Sequence, residues 1–159
     1  GVASIEHGSM LNDEAIHLMK ERGTYLVPTT YLAEAIDLDV LPPPIRAKAE
    51  GLLPIAKESL GRAIHAGVPI AFGTDAGVYP HGDNAKEFAA LVKAGMTPLE
   101  AIRAATLYAS DLLGLSDRGV IEVGRLADLV AVPGNPLTDV KVLADVKFVM
   151  HGGRIVKQR

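Results

Sequence analysis

The sequence predicts an α/β fold, parallel strand–helix units followed by a smaller β-rich tail. Three observations carry that prediction. Short apolar runs near residues 2–5, 24–29 and 68–73 alternate with helical patterns. The second run has no clean polar alternation, as expected of a strand covered on both faces. After Ser116 helical periodicity gives way to brief apolar runs divided by turn signals.

The elements follow in order. Val2 to Ile5 forms the first strand and ends in Glu6-His7-Gly8. Asn12 offers an N-cap, and Asp13 and Glu14 place carboxylates at the positive end of the helix dipole. Ala15, Leu18, Met19 and Arg22 keep helical spacing, and Gly23 stops the run. Thr24 to Thr29 is the second strand. Residues 30–46 are irregular, and Pro42-Pro43-Pro44 predicts a covering loop, since prolines lack the amide hydrogen of a helix interior. Helical spacing resumes at Ala47, with Pro54 expected to kink that helix or start a new one, and Gly67 ends it.

Val68 to Gly73 is the third strand, and Thr74-Asp75-Ala76-Gly77 follows it. A helix spans about Asn84 to Ala94. Thr97-Pro98-Leu99-Glu100 combines an N-cap, Pro at N1 and a reciprocal Glu at N3, so a second helix runs from there to about Leu113. In the tail, Val120-Ile121, Ala127 to Val132 and Val146 to Met150 read as strands, with Gly152-Gly153 as a hairpin turn.

Composition narrows the function. The 159 residues carry 16 Lys plus Arg against 19 Asp plus Glu, a formal charge of -3, which gives no general attraction to nucleic acid or anionic lipid. Only four Tyr and three Phe are present, with no aromatic stripe for stacking bases. There is no Cys, so disulfides, thiolate nucleophiles and thiolate-bound metals are excluded. No 18-residue apolar run or signal-like start occurs, and the expectation is a cytoplasmic chain that binds neither nucleic acid nor membrane. Dinucleotide, Walker A, HExxH and GxSxG motifs are missing.

Chemistry in such a fold gathers where strands end at their C-terminal rim. His7 and Asp75 hold equivalent places after the first and third strands, and their nitrogen and oxygen donors suit Zn, Mn, Fe or Co. The plainer alternatives are a strand-end histidine bonded to a backbone carbonyl and an aspartate capping its own loop. His81, in Tyr79-Pro80-His81-Gly82-Asp83, either contacts substrate or is an ordinary exposed loop residue. Tyr31 either hydrogen-bonds a ligand or packs the rim, and Glu6, pointing opposite to His7, is structural. His17, His65 and His151 are read as packing or surface residues. Three parallel strands make either a complete small sheet or part of an eight-stranded barrel, which takes about 250 residues.

Five motifs occur in a fixed order: Ile5-Glu6-His7-Gly8, Gly73-Thr74-Asp75-Ala76-Gly77, Pro80-His81-Gly82-Asp83-Asn84-Ala85-Lys86-Glu87, Ala94-Gly95-Met96-Thr97-Pro98-Leu99-Glu100-Ala101 and Gly124-Arg125-Leu126-Ala127-Asp128-Leu129-Val130. Together they resemble the C-terminal part of metal-dependent amidohydrolases, in the imidazolonepropionase-related branch that contains Xaa-Pro dipeptidases. The resemblance covers almost the whole chain. It implies that residues 1–118 are the part of a (β/α)8 TIM barrel holding strands six to eight, and that residues 119–159 are the C-terminal share of a small β-sandwich.

The same resemblance implies one or two divalent metal ions, zinc foremost, with His7 and Asp75 as ligands. Asp75 would also move the proton of the nucleophile, and His81 would assist with the substrate carboxylate or carbonyl. The family's strand-one His-x-His pair, carboxylated lysine and strand-five histidine have no match here. The expectation is therefore an incomplete, inactive isolated chain, completed by an N-terminal segment or separate chain that brings the carboxylated Lys, with homo-oligomers also admitted. The implied reaction is hydrolysis of Xaa-Pro dipeptides. Cyclic-amide hydrolysis, deamination or organophosphate-ester hydrolysis by the same superfamily chemistry, and a non-enzymatic α/β binding or assembly module, are the alternatives.

Overall fold

The computed structural model describes residues 1–158. Strand β1 (Ser4–Glu6) is followed by helix α1 (Asp13–Arg22), strand β2 (Tyr25–Val27), the short helix α2 (Leu32–Ala35) and the long helix α3 (Pro43–Ala66). Helices α4 (Lys86–Lys93), α5 (Pro98–Arg103) and α6 (Ala109–Leu112) come next, with a π-helical turn, Ala104–Tyr108, joining the last two. Strands β3 (Leu129–Ala131), β4 (Phe148–His151) and β5 (Arg154–Gln158) close the described chain.

β1 and β2 pair in parallel, with Ile5 opposite Leu26. Residues 68–73 run parallel along the other edge of β2: Leu26 donates its N–H to Pro69 O at 2.9 Å, and Ala71 N–H donates to Leu26 O at 3.0 Å. Leu26 is thus bonded on both sides, to β1 and to residues 68–73, and is fully buried. Ile16 and Met19 of α1, Leu60 of α3, Ile70 and Leu91 of α4 surround it in one apolar cluster. Removing such a buried Leu side chain typically costs about 2–5 kcal/mol. Among the helices, α1 packs on α3 and α4 on α5.

The local start and stop signals act as the sequence predicts. Asn12 Oδ1 accepts from Ala15 N–H at 2.8 Å, and Gly23 and Gly67 close α1 and α3 in left-handed caps. Thr97 and Glu100 form the reciprocal capping box of α5.

Five expectations change. Pro43 and Pro44 open α3 instead of lying in a loop, because the first helical turn needs no intrahelical amide donor. Residues 30–46 also contain α2 and a 3₁₀ turn at Leu38–Val40. Pro54 lies inside α3 and does not divide it. The third strand is reduced to one parallel bridge, Leu26 to Ile70, because Phe72 N–H turns to Ala104 O, at 3.0 Å, in the π-helical turn. Val120-Ile121 is no strand: among the described residues no segment pairs with it, and Ile121 is 91% exposed.

β3, β4 and β5 form a separate antiparallel sheet, with Gly152-Gly153 at the β4–β5 turn. A 3₁₀ segment, Val140–Ala144, packs this tail against α4. The accessible surface is 9810 Å², above the about 7600 Å² expected of a compact monomer of 16.7 kDa. Among the described residues no helix is long and apolar enough to cross a membrane.

Candidate functional site

Among the described residues, three non-glycine positions have positive φ: His7 at 63°, Thr29 at 50° and Asp75 at 52°. Each lies just past one of the three parallel extended segments, so all three belong to one rim. A non-glycine residue in the left-handed region costs on the order of 1–3 kcal/mol, and Thr, being β-branched, is among the least suited to it. Strain gathered at the C-terminal ends of parallel strands is the pattern of a site held in a fixed geometry.

The His7 N–H extends the β1–β2 ladder to Val27 O at 2.8 Å, while its side chain is exposed. His7 Nδ1 lies 2.8 Å from Thr29 Oγ1, which replaces the backbone carbonyl expected from sequence. That contact engages one ring nitrogen and leaves Nε2 for other partners. Gly8 follows at φ 57°, and a Cβ there would collide with Leu26 Cδ1. Gly73 is needed for a similar reason, since its Cβ would meet Val27 Cγ1. These glycines let the strand ends approach closely.

Asp75 is exposed, and among the described residues its carboxylate takes no hydrogen bond; its loop is held instead by Thr74 Oγ1, which accepts from Ala76 N–H at 3.4 Å. His7 and Asp75 therefore project from the strand ends flanking β2. Among the described residues, no group of three or more His, Asp or Glu could hold a metal ion. An imidazole and a carboxylate are donor types that suit divalent ions.

His81 begins an exposed 3₁₀ turn, His81–Asp83, in the loop after Asp75. Tyr31 packs edge-on against Tyr79 with ring centroids 5.1 Å apart, and Lys86 Nζ stands 5.4 Å from the Tyr31 ring centre. Glu6 is exposed and accepts from Ser4 Oγ at 2.7 Å. His151 is exposed and pairs with Asp128 at 3.0 Å. His17 and His65 line a groove of about 700 Å³ between α1 and α3 that includes none of the rim residues.

Three supporting residues escaped the sequence reading. Thr29 is the partner of His7. Ser59 of α3, fully buried, donates to Gly8 O at 2.9 Å and accepts from Leu11 N–H at 3.0 Å, fixing the loop after β1. Glu87 of α4 is also fully buried, and its two oxygens accept from Thr30 N–H at 2.7 Å and Tyr31 N–H at 2.6 Å. Burial drives its carboxyl up to about 7, against the downward pull of those amides. The available signal was its register: Glu87 shares a helical stripe with Ala90, Leu91 and Ala94, where an apolar residue is expected.

The amidohydrolase family profile matches residues 1–156. The chain belongs to the amidohydrolase family. It lies in the branch related to Xaa-Pro dipeptidase, imidazolonepropionase and ochratoxinase. Its amidohydrolase α/β fold corresponds to part of the family's TIM barrel.

The crystal structure of a Xaa-Pro dipeptidase with methionine bound in its active site superposes with a TM-score of 0.93 at 44% identity, over 99% of this chain and 40% of that one. A prolidase complexed with N-methylphosphonate-L-proline gives a TM-score of 0.85 at 35% identity, over 100% of this chain and 41% of that one. Ochratoxinase of Aspergillus niger is 39% identical over 99% of this chain and 34% of its own length. The amidohydrolase chain described here therefore spans between about a third and two-fifths of these relatives.

Proposed function

We propose that this chain carries one side of the active site of a metal-dependent amidohydrolase that cleaves Xaa-Pro dipeptides. The observation that carries the proposal is the placement of His7 and Asp75, both exposed and left-handed, just past the two extended segments that flank β2. It is supported by the similarity to the Xaa-Pro dipeptidase and to the prolidase complexed with a proline phosphonate.

In this assignment β1, β2 and residues 68–73 are the sixth, seventh and eighth strands of the barrel. Residues 1–118 belong to the barrel and 119–159 to the sandwich. Further polypeptide supplies the remaining strands and donors, including a carboxylated Lys; the larger size of the relatives and the extensive exposed surface support this.

His7 through Nε2 and Asp75 through a carboxylate oxygen would hold a divalent ion, zinc foremost, which when bound supplies Lewis acidity at the scissile carbonyl. Asp75 then takes the proton of the attacking water and returns it to the leaving nitrogen, a role its uncommitted carboxylate suits. Thr29 keeps the His7 ring turned so that Nε2 faces outward. His81, on the loop beyond Asp75, hydrogen-bonds the substrate carboxylate or carbonyl.

A substrate panel on the full-length, metal-loaded protein tests this, with metal content measured by elemental analysis. Hydrolysis of Xaa-Pro dipeptides by a protein holding one or two divalent ions is the expected result. Inert dipeptides alongside turnover of a cyclic amide would reject the dipeptidase assignment.

A further inference from the structure

We infer that Glu87 is a positioning residue that acts on His7 through Thr29, setting the orientation of the His7 ring from the far side of the loop after β2. The inference rests on the assignment of His7 as a metal ligand. Glu87 sits on α4, while His7 ends β1, so no local sequence pattern connects them. The connection runs through three consecutive residues. Glu87 grips two successive amides, Thr30 N–H at 2.7 Å and Tyr31 N–H at 2.6 Å, one on each carboxylate oxygen. The residue just before that clamp is Thr29, buried and left-handed at φ 50°. Its hydroxyl is 2.8 Å from His7 Nδ1.

A β-branched residue does not hold that backbone conformation on its own. Two bonds to a buried carboxylate on the following amides fix the path of the chain and keep Thr29 strained. They also fix where its Oγ1 points. When His7 presents the Nε2 lone pair outward, Nδ1–H donates to that oxygen, so tautomer and ring orientation are set together. Tyr31, whose amide is the second held by Glu87, packs against Tyr79 and stiffens the same turn.

A double-mutant cycle on the full-length enzyme tests the chain of contacts. Glu87→Gln keeps the side-chain shape but places an NH₂ group against one of the two amides. Thr29→Val removes the hydroxyl that faces His7. Metal affinity, by competition with a chelator, and kcat/KM are read for both single variants and the double variant. Each single change is expected to weaken metal binding by about 10–100-fold. The double variant should be no worse than the weaker single variant within about threefold, because both break one path.

Multiplied losses in the double variant would show independent effects and overturn the inference. Leu91→Val, a core change on the same helix, controls for destabilisation; it should lower the melting temperature without altering metal affinity. An equal loss of affinity there would reduce Glu87 to a structural role. Hydrogen exchange on the unmutated protein gives a reading even if Glu87→Gln does not fold: Thr30 and Tyr31 amides exchanging as fast as open loops would also overturn the inference. His7→Ala runs in parallel. If it leaves metal content and turnover intact, the assignment of His7 itself falls; if it removes both while the cycle is multiplicative, only the path through Glu87 falls.

Discussion

Glu87 gives a measurable pH dependence of folding, independent of catalysis. Its carboxyl is raised from 4.5 to about 7, first by burial, while the Tyr31 and Thr30 amides pull in the opposite direction. At 1.36 kcal/mol per unit, that difference amounts to about 3 kcal/mol. The sign follows from which state holds the proton. Below pH 4.5 both folded and unfolded chains keep Glu87 protonated. Between 4.5 and about 7 the unfolded chain releases the proton more readily, so stability falls as pH rises. Above about 7 both are ionised and the loss is complete.

The perturbation is Glu87→Gln, which cannot titrate. Urea unfolding of the metal-free protein and this variant, at steps from pH 4 to 8, should show the wild-type curve dropping by about 3 kcal/mol relative to the variant. Other groups cancel in the difference. Glu100, Asp117 and Asp128, whose pKa values are lowered by local hydrogen bonds, lose their stabilising contribution only as pH falls below the usual carboxylate range. Parallel curves for the two proteins would refute the account of a carboxylate held in a desolvated pocket.

Three further outcomes follow from named contacts. Asp75→Asn should lower turnover of the full enzyme by a factor on the order of 10²–10⁴ while barely moving the melting temperature, because the side chain is exposed and Asn tolerates positive φ well; equal losses of both would count against a catalytic Asp75. Gly73→Ala drives a Cβ into Val27 and should destabilise by about 1–3 kcal/mol, read by thermal unfolding, with no change pointing to a rim looser than described. Thr97→Ala removes the capping box of α5 and should cost about 1 kcal/mol in urea unfolding without changing kcat/KM.

Much of the fold was legible because its signals are local. Asn12, Gly23, Gly67 and the Thr97–Glu100 box each act within one turn of the chain, and the structure uses all of them. The prolines at 43 and 44 misled for a physical reason, since the same missing amide excludes proline from a helix interior and suits it to a helix start. Val120-Ile121 carries strand-like residues but pairs with no segment among the described residues, and pairing is not encoded locally. Among the candidate residues, His7 and Asp75 stood out by chemical type and position after a strand, and the structure places both just past extended segments. Thr29, Ser59 and Glu87 did not, because their importance lies in partners 22, 51 and 57 positions away.

The supporting residues also explain why the rim can remain strained. His7, Thr29 and Asp75 occupy costly backbone conformations, and nothing within their own strands relieves that cost. At His7 and Thr29 it is offset by contacts from the helical layer: Ser59 of α3 holds the loop that follows His7, and Glu87 of α4 holds the loop that follows Thr29. Both anchoring side chains are polar and fully buried, so each loses the solvation it would keep at the surface. A fold selected for stability alone would fill those positions with apolar side chains and relax the strand ends. Their presence beneath one rim fits the proposed role of that rim, in which stability is given up for the placement of His7 and Asp75.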